Sequence, residues 1–126
     1  MEQPVNEPSR DERVAAAKAR MAELAGKFLD RTAQDIATMR AGLARLAQGE
    51  AGALGDVRQL AHRLVGTGAT LGFESLSERA YDIESLTDRC PDGALPDETT
   101  RSSLAGFLDA LDAEFRRVKN QRGSSI

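Results

Sequence analysis

One side chain in this sequence is a ready nucleophile at neutral pH: His62, the only histidine, in the run LAHRLVGTGATLGF over residues 60–73. A neutral imidazole nitrogen can attack phosphorus and hold a phosphoryl group covalently. Cys90 is the only cysteine, which excludes internal disulfides and every Cys/His zinc pattern. The run is unusual for a helix, because Gly66 and Gly68 fall in its interior and each costs about 1 kcal/mol relative to alanine. Helical geometry assigns the two glycines different reasons. Val57, Leu60, Ala61, Leu64, Gly68 and Leu71 cluster on one face, and His62 lies about 150° from its centre. Gly68 therefore sits on the core face, where it admits a neighbouring helix. Gly66 falls on the His62 face with Arg58, Gln59 and Ala69, and Val65 stands at the border. A lone histidine is ordinarily half-buried and satisfied by a hydrogen bond. The phase argues instead for an imidazole open to solvent, in a clearing that small residues leave for a bulky visitor. The rest of a phosphotransfer site, Mg2+ and charge clamps, has no counterpart in the sequence, so a partner would bring it.

Placing that histidine requires a helical frame, and the apolar periodicity supplies one. Ser9 with Glu12 three residues later is a capping signal, followed by the stripe Val14, Ala17, Met21, Leu24, Ala25 and Phe28. Thr32 with Asp35 is a second such signal. Ile36, Met39, Leu43 and Leu46 then carry the period to about residue 48, as a second helix or a bent continuation of the first. The glycines of QGEAGALG, residues 48–55, place a loop. The His62 helix starts near Asp56 and ends at Gly72, which suits a left-handed terminus. Ser75 with Glu78 can start the next helix, with Leu76, Ala80, Ile83 and Leu86 inward. CPDGALP, residues 90–96, enforces another loop. The last helix runs from about Asp97 to Lys119 through Leu104, Phe107, Leu108, Leu111, Phe115 and Val118. No period-two alternation persists, so the expected fold is all-α: an antiparallel up-down four-helix bundle with an additional N-terminal helix. Residues 1–8 read as a disordered lead-in, 9–119 as one domain and 120–126 as a frayed tail. The first helix carries Arg13, Lys18, Arg20 and Lys27, diluted by Asp11, Glu12 and Glu23, and is expected to pack on the bundle rather than on a membrane. Tyr81 and Phe73 read as core edges, and Cys90 takes no role.

Composition narrows the function classes. Seventeen Lys and Arg stand against 20 Asp and Glu, a net charge of -3 in 126 residues. Neither a basic excess nor a basic block is present, which argues against nucleic acid as a partner. Leu64 to Phe73, the longest uncharged stretch, is too short and too glycine-rich to span a bilayer, and the N-terminal segment has no apolar signal core. These features point to the cytoplasm. No calcium-loop spacing and no glycine-rich nucleotide loop followed by lysine occurs.

At the His62 run the sequence resembles the histidine-containing phosphotransfer (HPt) domains of bacterial phosphorelays. The motif reads His62, Leu64, Val65, Gly66, Leu71 and Gly72, with Ala61 before the histidine. The resemblance implies a four-helix bundle that takes a phosphoryl group from the aspartate of a response-regulator receiver domain onto His62 and passes it to another receiver. It also implies Mg2+ and an acidic pocket in that receiver, a sensor or hybrid histidine kinase upstream, and no ATP site or metal in this chain. Docking would cover His62 and the exposed small or apolar positions beside it. Val65 stands where the family usually has lysine, whose cation lies beside the phosphoryl group. Arg58, one turn before His62, and Arg63, beside it, are the cations available instead, although each also reads as a solvated surface charge. The alternative is a degenerate HPt-like adaptor that binds a receiver or kinase without transfer. A kinase dimerisation domain would need an ATP-binding domain after it, for which the chain is too short. A bundle that closes on itself is expected to be monomeric and free-standing.

Overall fold

Ser9 opens the first helix of the computed structural model, which describes residues 7–124. The Ser9 hydroxyl accepts the Glu12 N–H at 3.1 Å and satisfies one donor of the first turn of α1 (Arg10–Ala47). α2 (Ala53–Thr70), α3 (Glu74–Asp88) and α4 (Glu98–Ser124) follow, with no strand among the described residues. Ties between helices set their direction. Phe28 lies against Gly68 and Gly42 against Val57, joining α1 to α2. Arg58 pairs with Asp88 and His62 with Glu84, joining α2 to α3. Arg40 reaches Asp109 and Asp112, joining α1 to α4. Later positions on one helix always meet earlier positions on the next, which makes the neighbours antiparallel in an up-down four-helix bundle. Met39, Val57, Ile83, Leu104 and Leu108 bring all four helices together in an aliphatic centre.

The turn from α2 to α3 fits its sequence signal. Gly72 adopts φ 84°, its N–H donates to the Ala69 carbonyl at 3.2 Å, and the Phe73 N–H donates to the Gly68 carbonyl at 2.8 Å. This closure satisfies carbonyls that the helix end leaves open, in a left-handed conformation that favours glycine. Gly68 is buried as expected: a Cβ there would lie 3.4 Å from the Phe73 carbonyl oxygen and 3.4 Å from Ser77 Cβ.

Several expectations change. Thr32 and Asp35 cap nothing, because α1 runs through them without a break. The Thr32 hydroxyl donates to the Phe28 carbonyl at 2.8 Å, and Asp35 accepts from Arg63 at 3.0 Å. Both buried polar groups are thus satisfied inside a continuous helix. The additional N-terminal helix is the first part of α1. Its expected packing on the bundle occurs only from Ala25 and Phe28, which are buried, whereas Val14, Met21 and Leu24 are 45%, 49% and 38% exposed. At 38 residues α1 is about 57 Å long, roughly twice the length of α2, so no facing helix covers its start.

The other boundaries shift by local chemistry. α2 begins at Ala53, ahead of Asp56, and α3 begins at Glu74 straight after the Gly72 turn, without a side-chain cap from Ser75. Asp97 accepts the Thr100 N–H at 2.8 Å at the start of α4, a bond that holds its carboxyl below the usual carboxylate range. α4 stays helical to Ser124, past the tail expected from residue 120, and Arg122 donates to the Ala22 carbonyl at 3.4 Å. Residues 1–6 of the expected lead-in and 125–126 of the tail lie outside the described residues. Phe73 stacks on Phe28, ring centres 5.0 Å apart, whereas Tyr81 is exposed and is not a core edge. Cys90 is half-buried, and burial pushes its thiol up, away from thiolate chemistry. No described helix is long and apolar enough to cross a membrane.

Two glycines of α1 have opposite surroundings. A Cβ on Gly42 would lie 2.8 Å from Cγ2 of buried Val57, whereas one on Gly26 would meet nothing within 4 Å. Gly42→Ala is expected to destabilise the bundle by about 1–3 kcal/mol through overpacking. Gly26→Ala should stabilise it by up to about 1 kcal/mol through helix propensity. Thermal unfolding of the two variants checks both signs.

Candidate functional site

α2 presents His62 from its middle, on the flank that meets α3, and leaves the side chain 77% exposed. The helical phase that places the apolar residues of α2 inward also places this ring at the surface. Across the seam, Glu84 of α3 has a carboxylate only 14% exposed and hydrogen-bonded to His62 Nδ1. An ionised carboxylate only accepts, so the neutral ring carries its proton on Nδ1 and donates it to Glu84. Nε2 is then left as the lone-pair nitrogen of a solvent-accessible, oriented ring.

Arg58, Gln59, His62, Glu84 and Asp88 line one shallow hollow between α2 and α3. Arg58 lies 3.6 Å from Asp88, a half-exposed pair that fixes little in water but keeps a cation in the hollow. Gly66 and Ala69 continue the same side of α2 and are exposed, and a Cβ on Gly66 would stand in open space. Gly66 thus faces no neighbour, whereas Gly68 lies against Phe28, Phe73 and Ser77. Val65 is half-buried against the core, and its carbonyl accepts the Ser77 hydroxyl at 2.7 Å. Arg63 is not brought to the hollow. It reaches the other flank of α2 and donates to Asp35 of α1 at 3.0 Å, so the cation expected beside His62 is held elsewhere.

Sequence reasoning missed Glu84 and Asp88. Ser77, Tyr81, Glu84 and Asp88 recur at four- and three-residue steps and form the α3 stripe opposite α2. That polar stripe was the available signal, but its partner face was not. Among the described residues, no cluster of three or more His, Cys, Asp or Glu side chains could hold a metal ion.

The family model for the Hpt domain matches residues 23–121. No curated protein and no solved structure matches the chain. The matched span begins where α1 enters the bundle and holds α2, α3, nearly all of α4 and the whole His62 hollow. The chain therefore belongs to the Hpt domain family, the phosphocarrier modules of histidine phosphotransfer in phosphorelays.

Proposed function

We propose that His62 is the phosphoryl carrier and that Nε2 forms the bond. The observation that supports this most directly is the Glu84 hydrogen bond to Nδ1 on an otherwise exposed ring. The Nε2 lone pair attacks the phosphorus of a receiver's aspartyl phosphate. The N–P bond forms as the acyl O–P bond breaks, and the aspartate carboxylate leaves with the electron pair. The Nδ1 proton stays in its hydrogen bond, so Glu84 offsets the positive charge that develops on the ring. The reverse step gives the phosphoryl group to a second receiver.

The receiver brings Mg2+ and its own acidic pocket, which supply the charge stabilisation that the bundle lacks. Arg58 is the cation placed to assist from this side, with Gln59, Gly66, Ala69 and the edge of Val65 as the surface on which the receiver docks. In this reading a sensor or hybrid histidine kinase feeds the relay, the chain works as a cytoplasmic monomer, and it uses no ATP of its own. A second reading, an adaptor that binds without transfer, draws support from Val65 in place of lysine and from the pairing of Arg58 and Arg63 with aspartates.

The deciding experiment is transfer from a phosphorylated receiver with Mg2+, comparing the protein with His62→Gln. Acid-labile labelling that vanishes in the variant is expected. Binding to a panel of receivers without labelling would establish the adaptor instead. Glu84→Ala should move the ring proton toward Nε2, read from the imidazole nitrogen shifts by NMR. It should also slow transfer about tenfold, the equivalent of one charge-assisted hydrogen bond. Gly66→Ala should raise thermal stability by up to about 1 kcal/mol while weakening receiver binding, because a methyl group enters the clearing without touching the core.

A further inference from the structure

The first part of α1 is an extended helix with an apolar seam that nothing in the bundle covers. Val14, Ala17, Met21 and Leu24 follow three- and four-residue steps, and all four are exposed. This is the narrow spacing of a two-helix seam rather than the broad face of a helix laid on a core. Cations border it. Arg13 and Arg20 lie on one edge and Lys18 on the other, about 60–80° from its centre, whereas Glu12 and Glu23 lie about 140–160° away at the back. Asp11 lies further round the Lys18 edge. Among the described residues, Arg13, Lys18 and Arg20 have no ion-pair partner, while Glu23 is taken by Lys27 at 3.2 Å. At its bundle end the seam runs into a cleft between α1 and α2 lined by Leu24, Phe28, Leu64 and Leu71. The Hpt match starts only at residue 23, so the seam lies almost entirely outside the family's span.

We propose that residues 10–24 are a docking helix for an acidic amphipathic helix of a partner protein. The partner sets its own apolar seam on Val14, Ala17, Met21 and Leu24 and its carboxylates against Arg13, Lys18 and Arg20. Charge decides against a second copy of this chain. Parallel self-pairing sets Arg13 of one copy against Lys18 of the other, and antiparallel self-pairing sets the arginine edges against each other. Seam width decides against a lipid surface, which takes a broader face with bulkier side chains. The cleft lies on the α1 flank of α2 and His62 on the α3 flank, so this partner and a receiver can be bound together.

The test uses the full chain and two three-heptad synthetic peptides with leucine at the seam positions, one flanked by glutamate and the other by lysine. The glutamate peptide should bind at least about tenfold more tightly than the lysine peptide and weaken as salt is raised. Met21→Glu should reduce its affinity about tenfold or more, with the thermal midpoint unchanged because the position is exposed. Equal affinity for the two peptides, or no binding of the glutamate peptide, overturns the proposal. Dimerisation in sedimentation that Met21→Glu abolishes overturns it in favour of a second copy. Co-sedimentation with phosphatidylserine vesicles, abolished by the same substitution, overturns it in favour of a lipid surface.

Discussion

The distance between α2 and its neighbours governs everything at the His62 face. Gly42 lets α1 approach Val57, where a Cβ would lie 2.8 Å from Cγ2, and Gly68 lies against Phe28, Phe73 and Ser77. The Gly72 turn then folds α3 directly back along α2, and the Ser77 hydroxyl locks onto the Val65 carbonyl. That approach carries Glu84 to the imidazole. A wider seam would leave the same histidine exposed but unoriented, with its proton free to sit on either nitrogen.

The polar groups of α2 are divided between its two flanks. On the α3 side, His62 and Arg58 meet Glu84 and Asp88. On the α1 side, Arg63 meets buried Asp35, which Arg31 also approaches at 3.5 Å. Asp35 is nearly enclosed, so losing Arg63 would leave a buried carboxylate with only the longer Arg31 contact, a costlier defect than breaking the exposed Arg58 pair. This explains why Arg63 serves the fold and only Arg58 stays near the histidine. Val65, half-buried at the border, brings no charge to that side of the helix.

Helix length adds a second theme. α2 and α3 are short, with 18 and 15 residues, and they cover only the bundle portion of a 38-residue α1. α4, with 27 residues, reaches back to Ala22 through Arg122. The start of α1 is therefore held by its own backbone ladder and by the Ser9 cap, in reach of another molecule. The His62 hollow lies between α2 and α3, and the exposed start of α1 lies apart from it.

Much of this was legible in the sequence because it is local. The phase that turns His62 outward and Gly68 inward, the left-handed Gly72 and the Ser9 cap each depend on residues within a few turns. Local signals misled where a helix interior and a helix start look alike, as at Thr32 and Asp35, whose oxygens find partners in either setting. They also misled at Val14, Met21 and Leu24, since an apolar stripe has the same spacing whether or not a helix covers it. The sequence by itself determined the all-helical frame, the solvent-facing histidine and the open clearing around Gly66. Only the tertiary structure decided that Glu84 holds the ring, that Arg63 turns to Asp35 and that α1 outruns its neighbours. Those outcomes depend on antiparallel register between distant segments and on relative helix lengths, which periodicity does not encode.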